Sequence, residues 1–239
     1  MPVRGRDGWA ASSLWYPRSA PLARYDFLFV SALAVQIAML AFRLETFEEA
    51  RVILIFHTVG TLMELFKTAV GSWIYPEAAF FRIGGVPLFS GFMYASVGSY
   101  IARSWRLFDV HFARHPPLWT LFAVSVGIYA NLYAHHYFVD IRLVLITALA
   151  FLCGRTWLYY KLHYHHRRMP LLFGLFLVAV FIWIAENLGT LTRTWIYPSQ
   201  LNGWAMVPLG KLGSWFLLMT ISYVMVAWVN KPQAYRTGE

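Results

Sequence analysis

Two stretches of the chain place a carboxylate in an apolar run at the same distance from the same terminal motif. "ELFKTAVGSWIYP" (Glu64–Pro76) and "ENLGTLTRTWIYP" (Glu186–Pro198) share Glu, Thr, Trp, Ile, Tyr and Pro in register, with Ser72 opposite Thr194. An ionisable side chain inside a membrane span costs a few kcal/mol or more and is usually kept for function. Glu64 and Glu186 are therefore candidate catalytic groups, each roughly 10 Å along its helix from the Trp-Ile-Tyr-Pro end at 1.5 Å per residue. Lys67, one turn after Glu64, is spaced to form an ion pair with it. Arg193 follows Glu186 by about two turns. Structural ion pairs between helices are the plainer reading of the same residues.

Further polar groups are expected on the same side. "NLYAHHYFVDIR" supplies His135, His136, Asp140 and Arg142, Lys211 opens the last apolar run, and Asn187 and Gln200 offer amides. Two chemistries fit this set. His135, His136 and Asp140 could hold a divalent metal, since imidazole with carboxylate suits iron, manganese or zinc. Alternatively a buried Glu donates a proton and His135 or His136 acts as its partner, without metal. In either case Lys67, Arg142, Arg193 and Lys211 would orient an anionic substrate, with Asn187 and Gln200 as hydrogen-bonding contacts. A second histidine group, "DVHFARH" and "KLHYHHRR", brings Asp109, His111, His115, His163, His165 and His166 to the other side. Its spacing loosely resembles the histidine boxes of membrane di-iron desaturases and hydroxylases, but the HxxHH element is missing. Basic, aromatic loops of this kind also contact anionic headgroups.

The elements that must position these groups follow from composition. Of 239 residues, 59% are hydrophobic and 13% charged, with mean hydropathy +0.52. A soluble surface needs about 25% charged residues, so lipid is the expected solvent. The +9 net charge gathers at the ends of apolar runs, which anchors membrane helices; it forms no nucleic-acid-binding motif. The single Cys153 excludes an intramolecular disulfide and a Cys-rich metal site. Seven runs reach spanning length, at approximately 26–43, 51–72, 86–105, 118–138, 141–160, 171–193 and 206–229. The fold class is thus an all-α membrane protein of about seven transmembrane helices. The motif copies end the second and sixth runs, and "GVPLF" at Gly85 resembles "MVPLG" at Met206, so spans 2–3 and 6–7 form a parallel internal repeat of the kind some transporters carry. Residues 1–25 read as an interfacial or extended arm, 26–230 as one transmembrane domain and 231–239 as a tail. Cytoplasmic placement of the basic loops at 103–115 and 161–168 follows the positive-inside rule, yet it puts Arg4, Arg6, Arg18 and Arg24 outside.

The motifs "WIYPE", "GGVPLFSGFMYASVGSYI", "NLYAHHYFVDIR", "AENLGTLTRTWIYPSQ" and "KLGSWFLLMTISYVMV" resemble the bacterial integral membrane family called domain of unknown function 817, or YoaT-like, over about residues 25–230. The resemblance implies a multi-pass protein of the bacterial inner membrane and carries no catalytic residues with it. A fainter similarity, in the Glu, Gly, aromatic-Tyr and "GVP" elements, is to membrane carotenoid hydratases and cyclases. Three functions are compatible. The first is a membrane-embedded enzyme acting on a lipid or isoprenoid by acid–base or metal-assisted chemistry. The second is a small-molecule or proton-coupled transporter with a 3+1+3 repeat, and the third a non-catalytic pigment-binding or scaffolding subunit. The expected partners are the bilayer and an apolar or amphiphilic small molecule.

Overall fold

The computed structural model describes residues 16–17 and 20–235. Among the described residues the α-helices are α1 (Arg24–Ala41), α2 (Phe47–Ala69), α3 (Phe89–Leu107), α4 (Leu118–Ala134), α5 (Arg142–Cys153), α6 (Leu171–Leu191) and α7 (Gly210–Asn230). Each falls within or beside one of the seven apolar runs. Four of them, α1, α2, α6 and α7, are long and apolar enough to cross a membrane. The expectation of seven spans is corrected accordingly. Helices α4 and α5 have 17 and 12 residues, short of the about 20 a crossing requires. Helix α3 is diluted by Ser, Gly, Arg103 and Arg106.

The all-α reading is corrected as well. After Cys153 the chain reads "GRTWLYYKL", in which Trp, Tyr and Leu follow a helix-ending glycine, and aromatic residues favour a pleated strand. The run expected to span 141–160 therefore stops as a helix and continues as β4 (Trp157–Leu162). Strand β4 pairs antiparallel with β5 (His165–Pro170) and with β3 (His111–Ala113) in the order β3-β4-β5. A two-residue ladder, β1 (Arg82–Ile83) with β2 (Val86–Pro87), precedes α3. Of the arginines in the expected N-terminal arm, Arg4, Arg6 and Arg18 lie outside the described residues, and Arg24 opens α1.

Two compact units are formed from interleaved segments. The first comprises residues 1–46, 54–95 and 184–207. Its aromatic core is Tyr25, Tyr75, Val86 and Phe89, joined by Trp73, Met93 and Trp195. The second comprises residues 47–53, 96–183 and 208–239. There α4, α5 and α7 pack together around Leu121, Ile128, Leu145, Leu149, Leu217 and Tyr223. Phe112 of β3 joins that core, which seats the sheet on the helices.

Candidate functional site

In the first unit the two motif copies end their helices in the same way. Gly71 and Arg193, at equivalent positions, both adopt positive φ (72° and 54°). The Ser72 N–H donates to the Lys67 carbonyl and the Thr194 N–H to the Gly189 carbonyl, each at 2.9 Å. The Gly71 and Arg193 N–H groups donate to the Thr68 and Thr190 carbonyls at 3.1 and 3.0 Å. This is the Schellman C-cap, whose left-handed residue glycine supplies at little steric cost and arginine does not.

Each capped helix leads into an extended Trp-Ile-Tyr-Pro segment, and the two segments meet. Ile74 and Ile196 exchange both backbone hydrogen bonds at 2.9 Å in an antiparallel bridge. Equivalent residues paired with each other give the two copies a local two-fold relation. From each segment a tyrosine turns back to the glutamate of its own copy. The Tyr75 hydroxyl donates to Glu64 Oε2 at 2.7 Å, and the Tyr197 hydroxyl donates to Glu186 Oε1. Glu64 also accepts Trp73 Nε1–H at 2.8 Å on Oε2 and the Tyr94 hydroxyl at 2.6 Å on Oε1. Both carboxyls are buried, Glu64 2% and Glu186 4% exposed. The donors to Glu64 are three aromatic side chains and not Lys67, because a Glu–x8–Trp–x–Tyr spacing lets the chain fold back over the helix end. Lys67 is itself buried, with Nζ 6.0 Å from the Phe66 ring centre.

The surrounding polar residues hold this turn in place. Gln200 Oε1 accepts the Tyr197 N–H and its amide donates to the Ala205 carbonyl. Asn187 Oδ1 accepts the Val207 N–H at 2.9 Å. Arg193 contributes its carbonyl, which with that of Thr192 accepts the Arg24 guanidinium at 3.1 and 3.0 Å. The same guanidinium pairs with Glu77 at 2.8 Å. Tyr25 donates to the Thr194 carbonyl, and Asp26 accepts the Phe80 and Phe81 N–H groups. Sequence reasoning found Glu64, Glu186, Asn187, Gln200 and Arg193 but missed Arg24, Asp26 and Tyr94. Asp26 and Arg24 at the mouth of a span were the available signal; Tyr94, thirty residues from its acceptor, left none.

His135, His136, Asp140, Arg142 and Lys211 belong to the second unit. His135 Nδ1 lies 2.9 Å from the Asn131 carbonyl oxygen, and the His135 and His136 rings lie tilted at 37° with centres 4.1 Å apart. Asp140 accepts from Asn131 Nδ2 and from the Arg142 N–H and guanidinium, the last at 2.7 Å. Arg142 also donates to the Gly210 carbonyl at 3.2 Å, beside Lys211 at the start of α7. Burial works against ionisation of Asp140, but these donors outweigh it and hold its carboxyl below the usual range. The geometry is that of a helix-start clamp. Among the described residues the cluster with metal-ligand spacing is Asp109, His111 and His166.

The second unit also contains an open cleft of about 790 Å³. Its walls are Phe112, Leu118, Trp119 and Trp228, and its rim carries Arg114, His115 and Lys231. Trp119 and Trp228 are 69% and 57% exposed. They stand at the N-terminal end of α4 and the C-terminal end of α7, as tryptophans do at a membrane interface. No carboxylate lines the cleft, and among the described residues neither Arg114 nor Lys231 makes an ion pair. His115 is fixed between the Pro116 carbonyl and the Tyr223 hydroxyl, each at 2.6 Å. Burial pushes its pKa below the usual imidazole value. The sequence pointed to His115 only as a member of a histidine group.

This helical architecture, with four helices long and apolar enough to cross a membrane, is that of a membrane protein with an Insig-like fold. Solved structures of a mycobacterial Insig homolog from Mycobacterium vanbaalenii, one of them a cross-linked trimer, superpose with TM-score 0.52 at 16% identity over 79% of this chain and 98% of theirs. At that identity the likeness is one of fold. The chain belongs to the family described as protein of unknown function, DUF817, which matches residues 8–223. It is similar to the uncharacterized protein YoaT of Bacillus subtilis (strain 168), 42% identical over 206 residues, 86% of this chain and 78% of that one.

Proposed function

We propose that this is a multi-pass inner-membrane protein that binds an anionic amphiphile in the cleft of its second unit and does not transform it. The observation that carries this reading is the cleft itself. Its tryptophan-lined apolar walls suit an acyl or isoprenoid chain, and two cations without acidic partners stand at its rim. The glutamates are then structural: Glu64 spends its acceptor sites on Trp73, Tyr75 and Tyr94, which locks the Trp-Ile-Tyr-Pro turn rather than presenting a reactive carboxyl. The two-fold pairing of Ile74 and Ile196 supports a duplicated unit spanning α2–α3 and α6–α7, with the paired turns as its junction.

A cation near an anionic headgroup contributes about 1 kcal/mol, so Arg114 and Lys231 together give about 2 kcal/mol. That corresponds to roughly thirtyfold preference for an anionic over a zwitterionic lipid. The test is competition of fluorescent phosphatidylglycerol against phosphatidylcholine on the detergent-purified protein. The preference should vanish in the Arg114→Glu/Lys231→Glu variant. Equal binding of the two lipids by the wild type would overturn the reading.

A further inference from the structure

The polar face of the sheet carries a group that neither the cleft nor the glutamate turns use. In an antiparallel ladder, directly opposed residues share a face and side chains alternate along each strand. His111 opposes Tyr159, Tyr159 opposes Arg168, and Lys161 opposes His166. These five side chains therefore occupy one face, while Phe112, Leu158 and Met169 occupy the other, where Phe112 and Leu158 join the apolar core. Asp109, in the turn between α3 and β3, is held at φ 46° and brings its carboxylate to the same polar face.

The geometry points to a divalent transition-metal site formed by Asp109, His111 and His166. One ligand atom from each of the three lies within 4.8 Å of the others. Asp109 Oδ1 is 3.8 Å from His111 Nδ1 and Oδ2 is 3.7 Å from His166 Nε2, and the same Nδ1 lies 2.9 Å from the Asp109 carbonyl oxygen, a contact that an ion would displace. Ligands of a tetrahedral zinc at about 2.0–2.1 Å stand roughly 3.3–3.4 Å apart, so closure onto an ion draws the three ligand atoms together from separations of up to 4.8 Å. Two imidazoles with one carboxylate are a nitrogen–oxygen donor set suited to zinc, iron or manganese. Three protein ligands leave a position for water, the count of open rather than closed zinc sites.

The surroundings favour a fixed site over a loose surface cluster. Tyr235 stacks on Tyr159 with ring centres 3.9 Å apart and meets His111 and His166 edge-on at 6.5 and 5.6 Å. Its N–H donates to the Phe112 carbonyl, and the Phe112 N–H to the Gln233 carbonyl, each at 2.9 Å. The segment after α7 thus lies beside β3 and puts an aromatic wall against both imidazoles. An ion here ties together three stretches: the turn after α3, β3 and β5. This inference stands independently of the amphiphile reading.

The experiment uses the full-length protein in detergent, stripped with chelator and titrated with Zn²⁺ by calorimetry and with Co²⁺ by visible absorption. The expected result is one ion per chain, with cobalt bands of a nitrogen–oxygen site. Binding should be lost in His111→Ala, His166→Ala and Asp109→Asn, and kept in His165→Ala, whose side chain lies on the other face. Asp109 is mostly exposed, so Asp109→Asn keeps the fold while removing the ligand, and unchanged circular dichroism verifies that. Absence of binding to the wild type, or binding lost in His135→Ala/His136→Ala but kept in the Asp109, His111 and His166 variants, would overturn the proposal.

Discussion

Replacing Glu64 by glutamine and by leucine separates a structural acceptor from a reactive acid. Three donors converge on its carboxylate, Trp73 Nε1–H and the Tyr75 hydroxyl on one oxygen and the Tyr94 hydroxyl on the other. In Glu64→Gln the amide oxygen keeps the first two, and the Tyr94 hydroxyl rotates to accept from the amide nitrogen. All three bonds lose their charge assistance, at a cost of about 1 kcal/mol each. Glu64→Leu leaves three buried donors without an acceptor at about 1–3 kcal/mol each, a total of about 3–9 kcal/mol. That is comparable to the about 5–15 kcal/mol stability of a whole domain. Unfolding of the purified protein by heat and by SDS titration should rank wild type above glutamine and glutamine above leucine. A leucine variant as stable as wild type, or a glutamine variant as damaged as leucine, would refute the account of Glu64 as a hydrogen-bond hub.

Four further outcomes follow from the same geometry. Gly60→Ala would place a Cβ 2.7 Å from Tyr94 Cγ, so the ring must move and its bond to Glu64 with it; a lowered Tm that Tyr94→Phe does not lower further is expected. Arg24→Lys loses the planar fork that serves the Thr192 and Arg193 carbonyls and Glu77, and should destabilise by about 1–3 kcal/mol although the charge is kept; thermal shift reads this. Ile74→Pro removes one of the two bridging N–H donors and should loosen protease protection of the Trp-Ile-Tyr-Pro turns, which limited proteolysis detects. Because burial lowers the folded-state pKa of His115, the unfolded chain binds the proton more readily. The associated stability is fully present above about pH 6.5 and is lost as the pH falls through the lower folded value. A Tm-against-pH profile should show that loss in wild type and not in His115→Phe.

The sequence made the helices legible because apolar runs are a strong signal, but run length alone misjudged which of them cross. Arg103 and Arg106 in α3, and the aromatic strand after Cys153, are visible locally; only pairing with β3 and β5 shows that the latter leaves the helix. Glu64, Glu186 and the shared Trp-Ile-Tyr-Pro motif were found from a repeated spacing, and the tyrosines' return to those glutamates is encoded in that same spacing. Tyr94 and Gly60 were invisible because their roles depend on α2 and α3 packing side by side. Asp140, expected beside His135 and His136, accepts from Asn131 and Arg142, partners close to it in sequence. His111 and His166 lie fifty-five residues apart, and only the β3-β4-β5 register puts them on one face.

Native mass spectrometry of the protein released from mild detergent tests the central claim most directly, because it identifies what the cleft retains. One bound anionic lipid on the wild type, absent from the Arg114→Glu/Lys231→Glu variant and undiminished in Glu64→Gln, is the predicted result. A wild type that carries no anionic lipid, or a lipid adduct that survives the double charge reversal unchanged, would contradict it.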